Sequence, residues 1–388
     1  MENRHSYKKL IHYNDNISGA MLTTNNEVEV FTDGEKKFAD LRLQMEKAKH
    51  YIYIQYYIIK PDEVFASMIP ILMRKAAQGV EIRILYDRMG GRFMPKQCWE
   101  KLREAGIRVS AFCPRALRYV PMRINYRNHR KIVVIDGRIG YIGGFNIGRE
   151  YISKEPRFGY WRDTHLRIMG DAVYGLETRF AMDWKEASGE DLRFEEHYVL
   201  AETARGEAAI QIISSGPDTR KCQIRNNYLE LFYGAAEHIY IQTPYFVPDD
   251  AVLSALKMAA ESGVDVRLMI PCKPDHPFVY WATCSYMGQL LMSGARCFVY
   301  ENGFLHAKGV MADGQISCCG TANLDIRSFR LNFEVNAVIY DADVVRRLEM
   351  DFLKDMVVCR EITAKEYQNR GLWMRVRERG SRLLSPLL

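Results

Sequence analysis

The sequence predicts an α/β fold that is built twice. Three observations support this prediction: short alternating strand patterns recur in the same order in both parts of the chain, helix-like stretches separate them, and one polar motif occurs once in each part. The 388 residues, 48% of them hydrophobic, are enough to form the cores of two fused domains.

The first two strand patterns define the repeat. Val28–Gly34 matches Ile210–Gly216, and both are alternating strands that close at a glycine. Ile52–Gln55 returns as Ile239–Gln242, which is again rich in β-branched and aromatic residues. These matches predict that the second part of the chain repeats the strand order of the first.

Helix-like stretches precede a third pair of strands. Phe65–Gln78 leads into Gly79–Leu85, and Ala251–Ser262 leads into Gly263–Met269, where each glycine suits the end of a helix. Alternating strands and helices predict α/β sandwiches with mixed, mostly parallel sheets. We place the junction in the polar stretch Ser188–Glu207, which gives halves 1–195 and 196–388 with a cleft at their interface.

Composition excludes several kinds of site. The nine cysteines are scattered with no C-x-x-C pair, so neither a zinc site nor a disulfide framework is predicted, and a reducing cytoplasm fits best. The net charge of +6 suits an anionic partner, either nucleic acid or a membrane surface, without choosing between them. No run of about eighteen apolar residues exists, so no membrane-spanning helix is predicted.

The polar motif is H-x-K-x4-D-x6-G-x-x-N. Its members in the two copies are His129, Lys131, Asp136 and Asn146, then His306, Lys308, Asp313 and Asn323. Residues i and i+2 of a strand share one face, so each histidine and its lysine project together. A single copy would be typical of an exposed strand with a hydrogen-bonded histidine. The occurrence of the whole pattern at matching places of two repeats instead favours a functional site.

The residue types indicate phosphodiester chemistry. Lysines and asparagines can hold the non-bridging oxygens of a phosphate and the charge that develops in the transition state. One imidazole can attack phosphorus while the other protonates the leaving oxygen. The two histidines must then start in different protonation states, one neutral and one charged.

The doubled motif resembles the paired signature of the phospholipase D superfamily. Further strings, Tyr53–Tyr57, Asn128–Lys131, Tyr240–Phe246, Asp325–Asn336 and Arg382–Leu388, resemble bacterial cardiolipin synthases. The resemblance covers nearly all the chain from about Val28 onward. It implies a duplicated phospholipase D-like fold with the active site between its halves.

The resemblance also implies residue roles. His129 would be the nucleophile and His306 the general acid and later the base, while the motif lysines and asparagines would bind phosphate and Asp136 and Asp313 would brace the site. Acids downstream of each motif orient the histidines in this superfamily, which assigns Glu334 to His306 and Asp163 to His129. The competing interpretation of Asp163 is an ion pair with Arg162 or Arg167.

The implied reaction joins two phosphatidylglycerol molecules into cardiolipin and glycerol. Hydrolysis by a phospholipase D or a phosphodiesterase nuclease would use the same residues, and a non-catalytic lipid- or protein-binding relative is the third alternative. No metal and no cofactor are expected. An anionic phospholipid membrane is the expected partner and nucleic acid is not, whereas the oligomeric state stays open.

Two basic segments bear on membrane contact. Members of this family usually begin with a hydrophobic anchoring segment, which we expect this sequence to lack, so that the protein would be peripheral on the cytoplasmic face of the cell membrane. Pro114–Lys131 mixes six basic residues with apolar ones and no acid, which is typical of an interfacial segment or a solvated loop. Leu372–Arg382 is also basic and apolar, and a packed terminal helix remains an alternative there.

Overall fold

The fold was described from a computed structural model, in which residues 7–113, 125–192, 206–219, 221–273 and 275–383 are described. The first part of the chain contains these elements: α1 (Lys8–Ser18), β1 (Asn26–Phe31), α2 (Gly34–Lys47), β2 (Tyr51–Tyr56), α3 (Glu63–Ala77), β3 (Glu81–Asp87), α4 (Lys96–Glu104), β4 (Arg108–Phe112), β5 (Arg127–Asn128), β6 (Ile132–Ile135), β7 (Ile139–Gly143), a 3-10 turn (Arg149–Ile152), β8 (Trp161–Arg162), β9 (His165–Gly170) and α5 (Val173–Ser188).

The second part repeats the order of the main sheet strands and adds three elements at its end. Its elements are β10 (Ile210–Ser215), α6 (Gln223–Gly234), β11 (His238–Gln242), β12 (Phe246–Val247), α7 (Asp250–Glu261), β13 (Asp265–Pro271), α8 (Pro277–Met292), β14 (Arg296–Tyr300), β15 (Phe304–Leu305), β16 (Gly309–Ala312), β17 (Ile316–Gly320), β18 (Leu324–Asp325), α9 (Ile326–Arg330), β19 (Asn332–Ile339), α10 (Ala342–Met356), β20 (Cys359–Ile362), α11 (Ala364–Gln368) and α12 (Leu372–Leu383).

Local chemistry sets the ends of the predicted helices. Asp62 accepts a hydrogen bond from the backbone N–H of Val64 and starts α3, and Asp249 does the same for Val252 at the start of α7. Gly79 and Gly263 follow these helices with φ of 86° and 93°, the left-handed backbone that glycine adopts without steric cost. The helices and strands predicted from the repeat are therefore confirmed.

Each half is built around one mixed sheet. The order is β1-β9-β7-β6-β2-β3-β4 in the first half and β10-β19-β17-β16-β11-β13-β14-β20 in the second. The α/β class and the mixed sheets are confirmed, but "mostly parallel" was wrong for neighbouring strands. Along these two strand orders only β2-β3-β4 and β11-β13-β14 pair in parallel. The other neighbours in these orders pair antiparallel, and they include the hairpins β6–β7 and β16–β17 that follow the two motifs and need no crossover helix.

The two sheets face each other. Each half has its own apolar cluster on the outer side of its sheet, and a third cluster takes residues from the inner faces of both halves. In this third cluster Leu166 and Ile168 of the first half lie with Val335 and Ala337 of the second. Burial of apolar surface between the halves therefore holds both motifs in one rigid frame.

The predicted junction between residues 195 and 196 lies outside the described residues, and the boundary remains a prediction. The helix α1 nevertheless packs on the second half, against α6 and β10. Its Asn14 is fully buried and donates hydrogen bonds to Asn227 at 2.9 Å and to Gln211 at 3.2 Å. None of the helices in the described ranges has both the length and the apolar character that a bilayer crossing requires.

Candidate active site

Two short parallel ladders join the halves at the candidate site. In one, β5 pairs with the start of β19, with Asn128 opposite Phe333. In the other, β15 pairs with β8, with Leu305 opposite Arg162. Each ladder therefore ends next to one histidine of the motif and one acid of the other half.

The backbone continues both ladders by one more hydrogen bond. The N–H of His129 donates to the carbonyl of Phe333 at 2.9 Å, and the N–H of His306 donates to the carbonyl of Arg162 at 2.7 Å. The next residues along the partner strands are Glu334 and Asp163. The register thus brings each imidazole to a carboxylate that the opposite half supplies.

The side chains complete this exchange. Nδ1 of His129 lies 2.9 and 3.0 Å from the two carboxylate oxygens of Glu334, and Nδ1 of His306 lies 2.6 Å from Oδ2 of Asp163. The sequence-based pairing was wrong, because it joined Glu334 to His306 and Asp163 to His129 within each half. Proximity in the sequence did not reveal that the ladders cross between the halves. The alternative ion pairs for Asp163 are also wrong.

Both carboxylates are fully buried and ionised. Burial raises the pKa of Glu334, but His129 and Lys131 together lower it below the usual value. Asp163 behaves in the same way, with Lys308 and His306 lowering its pKa against the effect of burial. An ionised carboxylate accepts the Nδ1–H, which leaves Nε2 as the ring nitrogen that can meet substrate.

Thr321 and Asn332 fix the carboxylate of Glu334, with hydrogen bonds of 2.6 Å from the hydroxyl and 3.1 Å from the amide. The backbone N–H of Thr164 donates to Asp163 at 2.8 Å. Gly144 follows the first glycine of the motif, and any Cβ there would collide with the carboxylate of Asp163. The glycine-rich turn of the first motif thus makes room for the acid that orients the second histidine.

Both histidines are neutral in the protein without substrate. Burial lowers the pKa of His129 to about 4; Glu334 opposes this shift and Lys131 adds to it. Burial also lowers the pKa of His306 to about 4, with Lys308 adding to the shift and Asp163 opposing it. The pKa values of the two histidines shift alike, so the difference in protonation that the reaction needs would come from a bound phosphate anion that favours an imidazolium.

The lysines are buried beside the histidines. Nζ of Lys131 donates to the carbonyl of His129 at 2.6 Å, and Nζ of Lys308 donates to the carbonyl of His306. Burial lowers the pKa of Lys131 to about 7 and that of Lys308 to about 8, while Glu334 and Asp163, respectively, oppose these shifts most strongly. Two cations in a partly desolvated site attract an anion more strongly than exposed lysines would.

The motif asparagines line the cavity on which both histidines open, but each has a partner in the protein. Asn146 donates to the hydroxyl of Tyr151 at 2.9 Å and accepts from the N–H of Ile58 at 3.1 Å. Asn323 donates to Asp325 at 3.3 Å. A phosphate that contacts these amides would have to compete with those partners.

The motif aspartates lie at the far ends of the strands. Asp136 has φ of 52° and accepts hydrogen bonds from the backbone N–H groups of residues 49–51, at 2.8, 2.8 and 2.9 Å. Asp313 has φ of 55° and accepts from the N–H groups of residues 236–238, each at 2.9 Å. A short polar side chain that tolerates left-handed backbone suits these hairpin turns. Both aspartates therefore brace the fold and do not line the cavity.

The histidines open on one cavity of about 600 Å³ between the halves. Tyr57 contacts His129 with a ring-centroid distance of 5.2 Å, and Trp161 contacts His306 at 5.1 Å. The other lining residues include aromatic, cationic and acidic side chains: Arg127, Tyr151, Tyr245, Asp275, His276, Phe278, Asp325 and Arg327. Among the described residues no group of three His, Cys, Asp or Glu side chains is arranged to hold a metal ion.

Known proteins share this sequence and fold. Residues 41–158 and 228–356 match the family described as "Cardiolipin synthase, PLD-like domain". The chain is 50% identical over 370 residues to the major cardiolipin synthase ClsA of Bacillus subtilis, covering 95% of this chain and 77% of that protein. The chain belongs to the cardiolipin synthase family. It is 49% identical over 382 residues to a cardiolipin synthase of Oceanobacillus iheyensis, covering 98% and 79%.

The fold is also shared with a more distant enzyme of solved structure. The phosphatidylserine synthase of Haemophilus influenzae superposes with a TM-score of 0.76 at 13% identity, covering 98% of this chain and all of that one. Membership of the cardiolipin synthase family makes this protein a phosphatidyltransferase of the phospholipase D superfamily. The resemblance stated from the sequence and the duplicated fold are both confirmed.

Sequence reasoning missed a buried network behind each histidine of this family member. Gln55, the last residue of the repeated pattern Ile52–Gln55, donates to Asp183 at 2.6 Å, and Arg130 makes two bonds of 2.7 Å to the same carboxylate. In the second half Gln242 donates to Asp355 at 2.8 Å, and Arg162 reaches that acid from the first half at 2.8 Å. The recurrence of glutamine at the ends of matching strands was the available signal.

The basic stretch Pro114–Lys131 is covered only in part. Residues 114–124 lie outside the described ranges, so its interpretation as an interfacial segment stays a prediction. Arg130 and Lys131 are almost completely buried, and Arg127 lines the cavity. Arg130 and Lys131 are therefore not available to a membrane surface, whereas Arg127 faces the cavity.

Proposed function

We propose that this protein transfers a phosphatidyl group from one phosphatidylglycerol to the hydroxyl of another and releases glycerol. The observation that carries the proposal is the pair of imidazoles on one cavity, each fixed through Nδ1 by a buried carboxylate of the opposite half. Two oriented nitrogens beside two buried lysines suit a two-step exchange at one phosphorus atom.

In the first step Nε2 of His129 attacks the phosphorus of the donor lipid. The N–P bond forms, the bond from phosphorus to the glycerol oxygen breaks, and His306 gives its Nε2 proton to that oxygen. The glycerol leaves and His306 becomes neutral. In the second step His306 takes the proton of the acceptor hydroxyl, whose oxygen attacks phosphorus while the N–P bond breaks, so both histidines return to their starting states.

The protonation of His306 explains why the reaction would start only after a phosphodiester has bound. His306 has a pKa of about 4 without substrate, mainly because it is buried, and must be protonated to act as the acid. The negative charge of a bound phosphodiester favours that imidazolium, and Asp163 stabilises it at Nδ1. His129 remains a neutral nucleophile whose developing charge Glu334 stabilises.

A lipid acceptor is supported by the relatives, which carry the name cardiolipin synthase at about 50% identity. The aromatic rings of Tyr57 and Trp161 against the two histidines suit an acceptor with an organic headgroup and restrict water around the phosphorus. Hydrolysis with the same residues is the competing outcome. We place the enzyme on the cytoplasmic face of the cell membrane, as a peripheral protein, as part of the same proposal.

The test is to incubate the protein with vesicles of phosphatidylglycerol labelled in the glycerol headgroup and in the acyl chains, and to identify all products. The proposal predicts cardiolipin and free labelled glycerol in equal amounts. Phosphatidic acid as the only acyl-labelled product would show a hydrolase and contradict the proposal. A His129→Ala variant is the control for contaminating activity.

A further inference from the structure

The last helix, α12, has one face that packs on the protein and one that does not. Glu378 and Ser381 are buried against the body of the second half, mainly against α8. The guanidinium groups of Arg377 and Arg382 lie over the rings of Trp281 and Tyr286 of α8, at 5.2 and 5.1 Å from the centroids. Leu372–Arg382 thus forms the packed terminal helix named as an alternative, but only one face of that helix is packed.

The opposite face of α12 is apolar and exposed. The exposed fractions are 76% for Leu372, 78% for Trp373, 52% for Val376 and 84% for Leu383. At 100° per residue Leu372, Val376 and Leu383 lie within about 40° of one another, and Trp373 lies about 60° beyond them. A surface helix normally turns its apolar stripe inward, so this outward stripe indicates a partner.

Arginines border the apolar face on both sides. Arg375 and Arg379 lie on one side of it and Arg377 lies on the other, by the same helical spacing. The single acid of α12, Glu378, is buried and paired with Arg370 at 2.7 Å. On α12 itself the exposed surface therefore combines an apolar centre with a cationic border, and the acids beside Leu383, Asp249 and Asp250, lie at the start of α7.

We infer that this face of α12 docks the enzyme on an anionic phospholipid bilayer. Tryptophan favours the boundary between acyl chains and headgroups, leucine and valine enter the outer acyl region, and arginines bind the phosphates around them. The charge pattern of α12 favours a bilayer over an apolar protein groove, because the helix borders its apolar face with arginines and buries its own acid, Glu378. The inference rests on the proposed function only in that the substrate lies in the same bilayer.

The position of α12 relative to the cavity supports this docking. From the contact Arg377–Trp281 to the contact Arg382–Tyr286 the residue numbers increase in both helices, so α12 and α8 run side by side in the same direction. Phe278, in the first turn of α8, lines the cavity of the two histidines, is 55% exposed and lies 5.5 Å from the ring of Trp281. Docking through α12 would hold the mouth of the cavity next to the lipid headgroups.

The first experiment measures co-sedimentation of the full chain with vesicles that contain phosphatidylglycerol and with vesicles of phosphatidylcholine alone. The wild-type protein should bind the anionic vesicles, and high salt should weaken that binding. The double variant Val376→Asp, Leu383→Asp should bind at least about tenfold more weakly, because it loses the free energy of burying two apolar side chains in the bilayer. Leu43→Asp is the matched control, since Leu43 is a 52% exposed leucine of α2. Equal binding by the double variant and the control would overturn the inference.

The second experiment uses a variant of α12 that introduces no charge. Trp99, Trp161 and Trp184 are buried, whereas Trp373 is the most exposed of the five tryptophans. Vesicles with bromine on the upper acyl carbons should quench wild-type fluorescence on binding, and Trp373→Phe should bind nearly as well but lose most of the quenching. Undiminished quenching in Trp373→Phe would place the bilayer contact elsewhere and contradict the inference.

A third measurement separates docking from catalysis. With short-chain phosphatidylglycerol below its micelle concentration, the Val376→Asp, Leu383→Asp variant should keep the wild-type rate, although its rate on vesicles falls at least about tenfold. A wild-type protein that binds vesicles through α12 but makes no cardiolipin would refute the proposed function and leave the docking intact. Concentration-dependent dimers that the double variant abolishes, without vesicle binding by the wild type, would show that a second copy covers the face and would overturn the docking.

Discussion

Glu334 accepts a hydrogen bond from Nδ1 of His129 although 205 residues separate them in the chain, and the reciprocal bond joins Asp163 to His306 across 143 residues. Each half therefore carries a histidine whose orienting acid belongs to the other half. Because the two pairs lie at the ends of ladders between the halves, the site can form only when both halves have folded against each other.

The first prediction concerns this exchange. Glu334→Gln should lower kcat by about 10²–10⁴-fold with a smaller change in KM, because the neutral amide no longer stabilises the imidazolium form of His129. Ring ¹⁵N spectra should show the change at Nδ1 of His129 and not at His306, and Asp163→Asn should show the converse.

The control for both substitutions is Glu361→Gln. This surface acid pairs with Arg296 at 2.8 Å in an exposed contact, so its loss should leave kcat unchanged. A spectrum in which Glu334→Gln alters His306 alone would contradict the exchanged pairing.

The repeat, the main helices and the motif residues could be predicted from the sequence because each depends on local pattern. The antiparallel share of the sheets could not, since β6 and β7 form a hairpin whose pairing the strand-and-helix order does not reveal. The partners of Glu334 and Asp163 depend on the register between two ladders far apart in the chain. Only packing of the halves fixes that register, so spacing within one motif carried no information about it.

The lysines predict an alkaline limb in the pH dependence. Burial lowers the pKa of Lys131 to about 7 and of Lys308 to about 8, so both lose their protons as pH rises through that range. The uncharged amines attract a phosphodiester less, and kcat/KM should fall between about pH 7 and pH 9, since kcat/KM reports the free enzyme. The measurement is a kcat/KM profile on short-chain phosphatidylglycerol.

Lys131→Met is the comparison for that profile. The kcat/KM of this variant should be low at every pH, and its remaining decrease at high pH should come from deprotonation of Lys308 alone. A wild-type profile that stays level across this range would show that neither lysine titrates there.

The motif aspartate Asp136 should matter to stability and not to chemistry. Asp136→Ala removes the acceptor of three backbone N–H groups and should lower the free energy of unfolding by about 2 kcal/mol or more. The kcat of the folded variant should stay within about threefold of wild type, because β6 separates Asp136 from Lys131. Urea unfolding and active-site-normalised rates measure both effects. A loss of kcat as large as that of Glu334→Gln would give Asp136 a direct role.

Activity should survive chelation. Within the described ranges no side-chain cluster is arranged to hold a metal, and the proposed charge stabilisation comes from Lys131 and Lys308. The measurement is the rate on short-chain phosphatidylglycerol before and after dialysis against a chelator, which avoids effects of cations on anionic vesicles. Loss of nearly all activity that an added divalent ion restores would contradict a site that works through side chains alone.

In the proposed mechanism His129 carries the phosphatidyl group while His306 moves the proton. The direct measurement is rapid quenching of the enzyme with acyl-labelled phosphatidylglycerol, followed by peptide mapping under conditions that preserve phosphohistidine. His129→Ala and His306→Ala should each lose nearly all turnover, and the double variant should be little worse than either, as expected for residues that act as one unit. Label should appear on the peptide that contains His129, including a small amount in a His306→Asn variant. Label on His306 in the wild type would contradict the role of His129 as the nucleophile.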